Sequence, residues 1–275
     1  MKAICDICPH ACNLEEGQIG ICRARSNQGG AVRSDNYGLV TAIALDPIEK
    51  KPLYHFHPGS KILSVGSYGC NMHCSFCQNY RISMSNADHV DTVYFSADDL
   101  VEKAAELQSE DNIGIAFTYN EPLIGYEYVR DCATVAKDRG LQTVVVTNGY
   151  VNEAPLRDLL PVIDALNIDL KSFDAQFYER CGGSLEDVKR SIVIASESAH
   201  VEVSTLIIPN ENDSEREMRA LASWLADVNS ETPLHVSRFF PSYKMADRAS
   251  TDVASVYHLA DIARKYLKYV YTGNC

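Results

Sequence analysis

Ile62-Leu63-Ser64-Val65-Gly66, followed at once by Gly69-Cys70-Asn71-Met72-His73-Cys74-Ser75-Phe76-Cys77-Gln78-Asn79, is the stretch on which the reading of this chain turns. The first part is a short apolar run ending in glycine, the signature of a buried strand. The second is a compact loop carrying three thiols at x3 and x2 spacing. Such a loop can wrap one corner of a cubane, ligating three irons and leaving the fourth open. A tetrahedral structural zinc would need a fourth protein ligand. His73 could supply one only under strain, because it lies inside the loop itself.

Outward from this loop the pattern is strand, loop, helix, repeated. Ile113 to Thr118, Val144-Val145-Val146, Ala165 to Leu170, His200 to Ile208 and Leu234 to Phe239 read as buried strands. Ser96 caps a helix over Ala97 to Leu107. Tyr126, Val129, Cys132, Ala133 and Ala136 recur at helical spacing, with Gly140 as the C-terminal stop and Cys132 in the core. Strands alternating with helices imply a parallel sheet, since each crossover needs a dozen or so residues. The expected fold is therefore α/β, a partial (β/α)6 TIM-like barrel with a small cysteine-rich N-terminal extension. A doubly wound open sheet is the alternative, but no GxGxxG follows the first strand. Residues 1-60 read as a cysteine-rich head and connector, and residues 61-275 as the barrel. In the connector, the prolines and charges of Asp46 to Phe56 suggest extended chain lying over the surface.

Polar groups gather just after the strands: Cys70, Asn120, Glu121, Asn148, Asp169, Lys171 and Arg238. In βα barrels these strand ends build the active site. Asp169 and Lys171 stand two apart on one strand, so both can point into the barrel mouth. A rim ion pair is the plainer reading of that pair, and a solvated turn the plainer reading of Glu121. His235, Arg238 and Lys244, around the last strand and its loop, are candidates for substrate contacts or simple structural groups.

Of the ten cysteines, seven fall in two tight groups. The second group is Cys5, Cys8, Cys12 and Cys22, in a segment too small to bury a core of its own and in need of a metal or cluster to order it. No apolar h-region of a signal peptide is present, so ligation is preferred to a disulfide framework and a cytoplasmic location is expected. Zinc and a second [4Fe-4S] cluster both suit four thiolates. The formal charge of −12 disfavours nucleic acid as a partner. No apolar stretch reaches the 18 or so residues of a membrane span, and no membrane partner is expected.

The C-x3-C-x2-C spacing, with Phe76 before the third cysteine, resembles the signature of the radical S-adenosylmethionine (SAM) superfamily. The resemblance implies a [4Fe-4S] cluster on Cys70, Cys74 and Cys77, whose open iron is chelated by SAM, and reductive cleavage to a 5′-deoxyadenosyl radical that abstracts hydrogen from a substrate. It places Phe76 near the adenine, and Asn120 and Glu121 where the superfamily carries a glycine-glycine-glutamate motif, Glu121 meeting the SAM ammonium. Leu206-Ile207-Ile208-Pro209-Asn210 resembles the adenine-side segment of related enzymes, and Asn148, Asp169, Lys171 and Ile208 fill out the expected cofactor site. Cys8-Pro9-His10-Ala11-Cys12, Asp46 to Phe56, Phe117 to Pro122 and Ser237-Arg238-Phe239-Phe240-Pro241 resemble the radical SAM member of the AmmeMemoRadiSam system, within the pyruvate formate-lyase activating enzyme-like group. There a further cysteine pair follows the position of Asn274, and here Cys275 stands alone. The resemblance implies a reductant such as flavodoxin or ferredoxin, and a Memo-like or AMMECR-like partner protein. Two other functions compete: a glycyl-radical activase acting on a partner protein, and a noncatalytic zinc-binding interaction module.

Overall fold

In the computed structural model, which describes Met1–Cys275, each apolar run named above is a strand of one eight-stranded sheet. Its strands are β1 (Ala42–Pro47), β2 (Lys61–Gly66), β3 (Asn112–Phe117), β4 (Gln142–Thr147), β5 (Ala165–Asp169), β6 (His200–Ile207), β7 (Leu234–Arg238) and β8 (Val270–Gly273). They lie side by side in chain order, β2 to β8 parallel, and the two edges do not pair. Helices Ala97–Glu106, Tyr126–Asp138, Glu153–Leu159, Leu185–Ser196, Glu215–Asn229 and Val253–Ala263 fill the crossovers from β2 to β8. Six strand–helix units and an open edge make the expected partial barrel.

The local signals act as their chemistry requires. Ser96 accepts the N–H of Asp99 at 3.1 Å and starts its helix. Val129, Cys132, Ala133 and Ala136 form the buried stripe of Tyr126–Asp138, and Cys132 is fully buried core. No helix is long and apolar enough to cross a membrane.

The connector departs from the expectation of chain lying over the surface. Ala42–Pro47 is the antiparallel edge strand of the sheet, in register with β2 from Ala42↔Gly66 to Pro47↔Lys61. Beyond it, Pro52 to His55 runs beneath the barrel. There Glu202 of β6, with no exposed surface, accepts the backbone N–H groups of Tyr54 (3.0 Å) and His55 (2.7 Å) and the Nε2–H groups of His200 (2.9 Å) and His235 (2.6 Å). Asn167 of β5 donates to the Pro52 carbonyl at 2.8 Å. A bare buried carboxylate would be costly. Burial does push Glu202 upward, but its four donors outweigh that and hold its pKa down at about 2. The plug is thereby an electrostatic seal on the lower end of the barrel.

The head consists of two short hairpins, Ala3–Ile4 with Asn13–Leu14 and Arg25–Gln28 with Ala31–Ser34. It is fastened to the barrel by Arg25, which grips the Glu127 carboxylate bidentately at 2.7 and 2.6 Å and donates to the Ile124 carbonyl at 2.9 Å. The Ile7 carbonyl accepts from the Asn152 N–H at 2.9 Å, and His10 Nε2–H donates to the Asn71 carbonyl at 2.7 Å.

Candidate active site

The loop after β2 crosses the C-terminal mouth of the barrel, where a cavity of about 330 Å³ opens, a size suited to a small organic cofactor. Cys70, Cys74 and Cys77 line it, with Phe76 beside them. Across from the thiols the wall holds Asn120 and Glu121 after β3, Asn148 after β4, and Asp169 and Lys171 at and just beyond the end of β5. Gly66 lets the chain pass here, since a Cβ would lie 2.8 Å from the Tyr119 ring.

The three thiols meet a donor environment. Cys70 Sγ accepts from the Met72 N–H at 3.4 Å and from Asn148 Nδ2 at 3.6 Å. Burial pushes the Cys70 and Cys77 thiols up. For Cys74 the neighbouring Cys181 thiol is the first cause of its raised pKa, and burial the second. Burial thus favours the neutral thiols, and a bound cation would draw off their protons. Three cysteines around one cavity, with N–H donors aimed at a sulfur, fit an iron–sulfur cluster with one open iron.

Glu121 is buried, and its side chain is tied into the wall. Oε1 accepts from Thr147 Oγ1 (2.7 Å) and the Leu123 N–H (3.0 Å), and Oε2 from the Asn148 N–H (2.7 Å). Burial still lifts its pKa to about 6, against the pull of these donors. Oε2, with one donor, has capacity for a second. Asn148 is held in turn by Glu121 and passes its amide to Asn71 Oδ1 at 2.9 Å as well as to Cys70. Lys171 Nζ sits 2.7 Å from Asp169 Oδ2, giving the cavity a cation whose partner orients it. Asn120 braces the loop, accepting from the Ser67 N–H at 2.9 Å and donating to the Tyr68 and Gly69 carbonyls. Tyr119, in the left-handed region at φ 72°, donates its hydroxyl to Asp46 at 2.8 Å. Asp46 in turn is paired with the buried Lys51 at 2.9 Å.

Four expected site residues lie off the cavity wall. Ile208 is fully buried and Leu206, two residues earlier, takes the lining position. His235 is committed to Glu202 in the plug, one layer too deep. Arg238 donates Nε–H to the Thr251 carbonyl at 2.7 Å and stacks over Phe240. Lys244 touches the cysteine loop through its backbone N–H, which donates to the Ser75 carbonyl at 3.0 Å. Reading strand ends alone missed Asn167, Ser204, Thr205 and Ser237, which line the wall. Their signal was available in part: they are polar residues in largely apolar strands, and Asn167 stands two before Asp169 on one face of β5. Cys181 was missed as a neighbour of Cys74.

Known proteins resemble this chain in sequence and in fold. The model of the radical SAM superfamily matches residues 64–222. An uncharacterized protein of Methanocaldococcus jannaschii is 39% identical over 277 residues, spanning 99% of this chain and 81% of that protein. The pyruvate formate-lyase 1-activating enzyme of Escherichia coli K12 is 24% identical over 183 residues, 63% of this chain and 71% of the enzyme. Among solved structures, Streptococcus suis SuiB bound to S-adenosylmethionine superposes with a TM-score of 0.62 at 13% identity, over 78% of this chain and 52% of that one.

Proposed function

The chain belongs to the radical SAM superfamily, and from that premise we propose that it cleaves SAM reductively at a [4Fe-4S] cluster held by Cys70, Cys74 and Cys77 to start hydrogen abstraction from a substrate. The observation that carries this reading is the convergence of the three loop thiols with Glu121, Asn148, Asp169 and Lys171 on one cavity. When bound, the cluster and SAM together supply a 5′-deoxyadenosyl radical and methionine on one-electron reduction.

The chain's own residues bind and orient. Glu121 would accept the SAM ammonium on the second acceptor position of Oε2, and Lys171, steadied by Asp169, would meet its carboxylate. Asn148 and the Met72 N–H stabilise negative charge on the Cys70 sulfur. Phe76, set against Phe177 at 5.8 Å between centroids, offers an apolar face to the adenine beside Leu206. The buried walls keep water from a reactive carbon. The four head cysteines supply a set of thiolate donors that would suit a second bound group.

The similarity to a pyruvate formate-lyase activating enzyme favours a second reading, hydrogen abstraction from a glycine of a partner protein. A Memo-like or AMMECR-like protein is the partner class to try, with flavodoxin or ferredoxin as reductant. The test is anaerobic turnover with SAM and dithionite. Formation of 5′-deoxyadenosine supports the proposal, and a persistent EPR doublet on an added partner protein supports the activase reading. Intact SAM with a fully loaded cluster and reductant rejects both.

A further inference from the structure

The head cysteines come from three separate turns, yet Cys5, Cys8, Cys12 and Cys22 line a single cavity. Two are held in place by their backbones: the Cys5 N–H donates to the Cys12 carbonyl at 2.9 Å, and the Ala11 N–H to the Cys8 carbonyl at 3.1 Å. The remaining wall is apolar (Ile7, Leu14, Ile21 and Ile124) except for Arg25. Arg25 is 3% exposed. Its Nη atoms are engaged by Glu127 and the Ile124 carbonyl, but its buried Nε–H has no partner. A cationic donor left open beside four thiols calls for an anionic group between them.

A single ion does not meet that call. Thiolates around one zinc stand about 3.8 Å apart, from a Zn–S length of ~2.3 Å. No three cysteine, histidine or carboxylate side chains converge so that one ion reaches them all, in the head or in the Cys70–Cys77 loop. Ligands that spread around one cavity, one per iron, match a cubane, which also offers sulfide as acceptor for Arg25 Nε–H. The neighbourhood gives such a group a use. The carbonyl of Cys22 accepts the backbone N–H of Cys70 at 3.2 Å, so one hydrogen bond joins a head ligand to a catalytic ligand.

We propose that Cys5, Cys8, Cys12 and Cys22 bind a second [4Fe-4S] cluster, with Arg25 as its hydrogen-bond donor, and that it passes single electrons from a one-electron donor protein to the catalytic cluster across the Cys22–Cys70 contact. In each transfer the head cluster is oxidised by one electron and the catalytic cluster is reduced by one. The electron-passing role rests on the catalytic reading above, whereas occupancy of the head does not.

The test is iron, acid-labile sulfide and zinc per chain after anaerobic reconstitution, in wild type, C70A/C74A/C77A and C8A/C12A, with folding checked by circular dichroism. The expected result is about eight irons in wild type and about four in each variant, both variants giving an EPR signal on reduction. The doubly reduced wild type should show spin–spin broadening absent from the sum of the variant spectra. Zinc without sulfide in folded C70A/C74A/C77A, or no metal there, overturns the proposal. An unchanged spectrum sum overturns the electron path. If C70A/C74A/C77A fails to fold, C8A/C12A decides, since iron equal to wild type contradicts a head cluster. Failure of the catalytic assignment reads differently, as wild type and C70A/C74A/C77A carrying the same iron.

Discussion

The backbone N–H of Cys70 donates to the carbonyl of Cys22 at 3.2 Å, tying the first cysteine of the barrel loop to the last cysteine of the head. The contact is made possible by Gly69, whose φ of 85° turns the chain and whose missing side chain leaves room for Cys22. Head and cysteine loop are therefore joined in structure, although 48 positions of sequence separate the two cysteines (70 minus 22).

Gly69→Ala should break this seam. A Cβ there would lie 2.5 Å from the Cys22 carbonyl oxygen and 2.9 Å from Ala24 Cβ, whereas Gly59, with the same φ of 85°, has nothing within 4 Å. Both substitutions carry the left-handed backbone penalty of about 1–2 kcal/mol. Gly69→Ala should lower the melting temperature further and reduce iron uptake. Equal melting temperatures for the two variants would show that the seam is not under steric control.

Asn148→Ala should lower the reduction potential of the catalytic cluster, because it removes an N–H donor from Cys70 Sγ. A hydrogen bond worth about 1 kcal/mol corresponds to ~40 mV for one electron. An EPR-monitored redox titration measures this, and a potential that stays put or rises contradicts the assigned contact.

Glu121→Gln should keep the cluster and weaken SAM binding, by roughly tenfold for each 1.4 kcal/mol of lost interaction. Its carboxyl pKa is raised by burial to about 6, so wild-type affinity for SAM should strengthen as pH rises through 6 and the carboxylate forms. The variant should lack that pH dependence. Calorimetric titration across pH 5 to 8 checks it, and identical profiles would remove Glu121 from the SAM site.

The Glu202 plug predicts acid sensitivity. A carboxylate whose folded pKa of about 2 lies below its ordinary 4.5 stabilises the fold fully above pH 4.5 and progressively less as pH falls toward 2. The contribution at neutral pH is on the order of 3 kcal/mol. Urea unfolding of wild type and Glu202→Gln, compared at pH 7 and pH 3, should show the gap between them narrowing in acid. A gap that widens contradicts the network.

Much of this architecture was legible in the sequence, for physical reasons. A buried parallel strand carries a continuous apolar run, so β3, β4 and β5 announce themselves, and polar residues at their C-terminal ends lie near the mouth. The edge strand β1 was not legible: its Ala42–Pro47 is only half exposed, without alternation of buried and exposed positions, so only pairing with β2 reveals it. His235 was misassigned because period shows which face a residue occupies and not how deep it lies. Cys181 follows a helix that closes over the cysteine loop, its carbonyl accepting the His73 N–H at 2.9 Å. Such a contact, made across 108 positions (181 minus 73), leaves no local trace.

The most direct test of the central claim is 5′-deoxyadenosine released from SAM by anaerobically reconstituted, dithionite-reduced protein, wild type against Cys74→Ala. Wild type should release 5′-deoxyadenosine and methionine in equal amounts, and the variant none. Release by Cys74→Ala at the wild-type rate, or none from wild type carrying its full iron, would contradict a SAM-cleaving cluster on this loop.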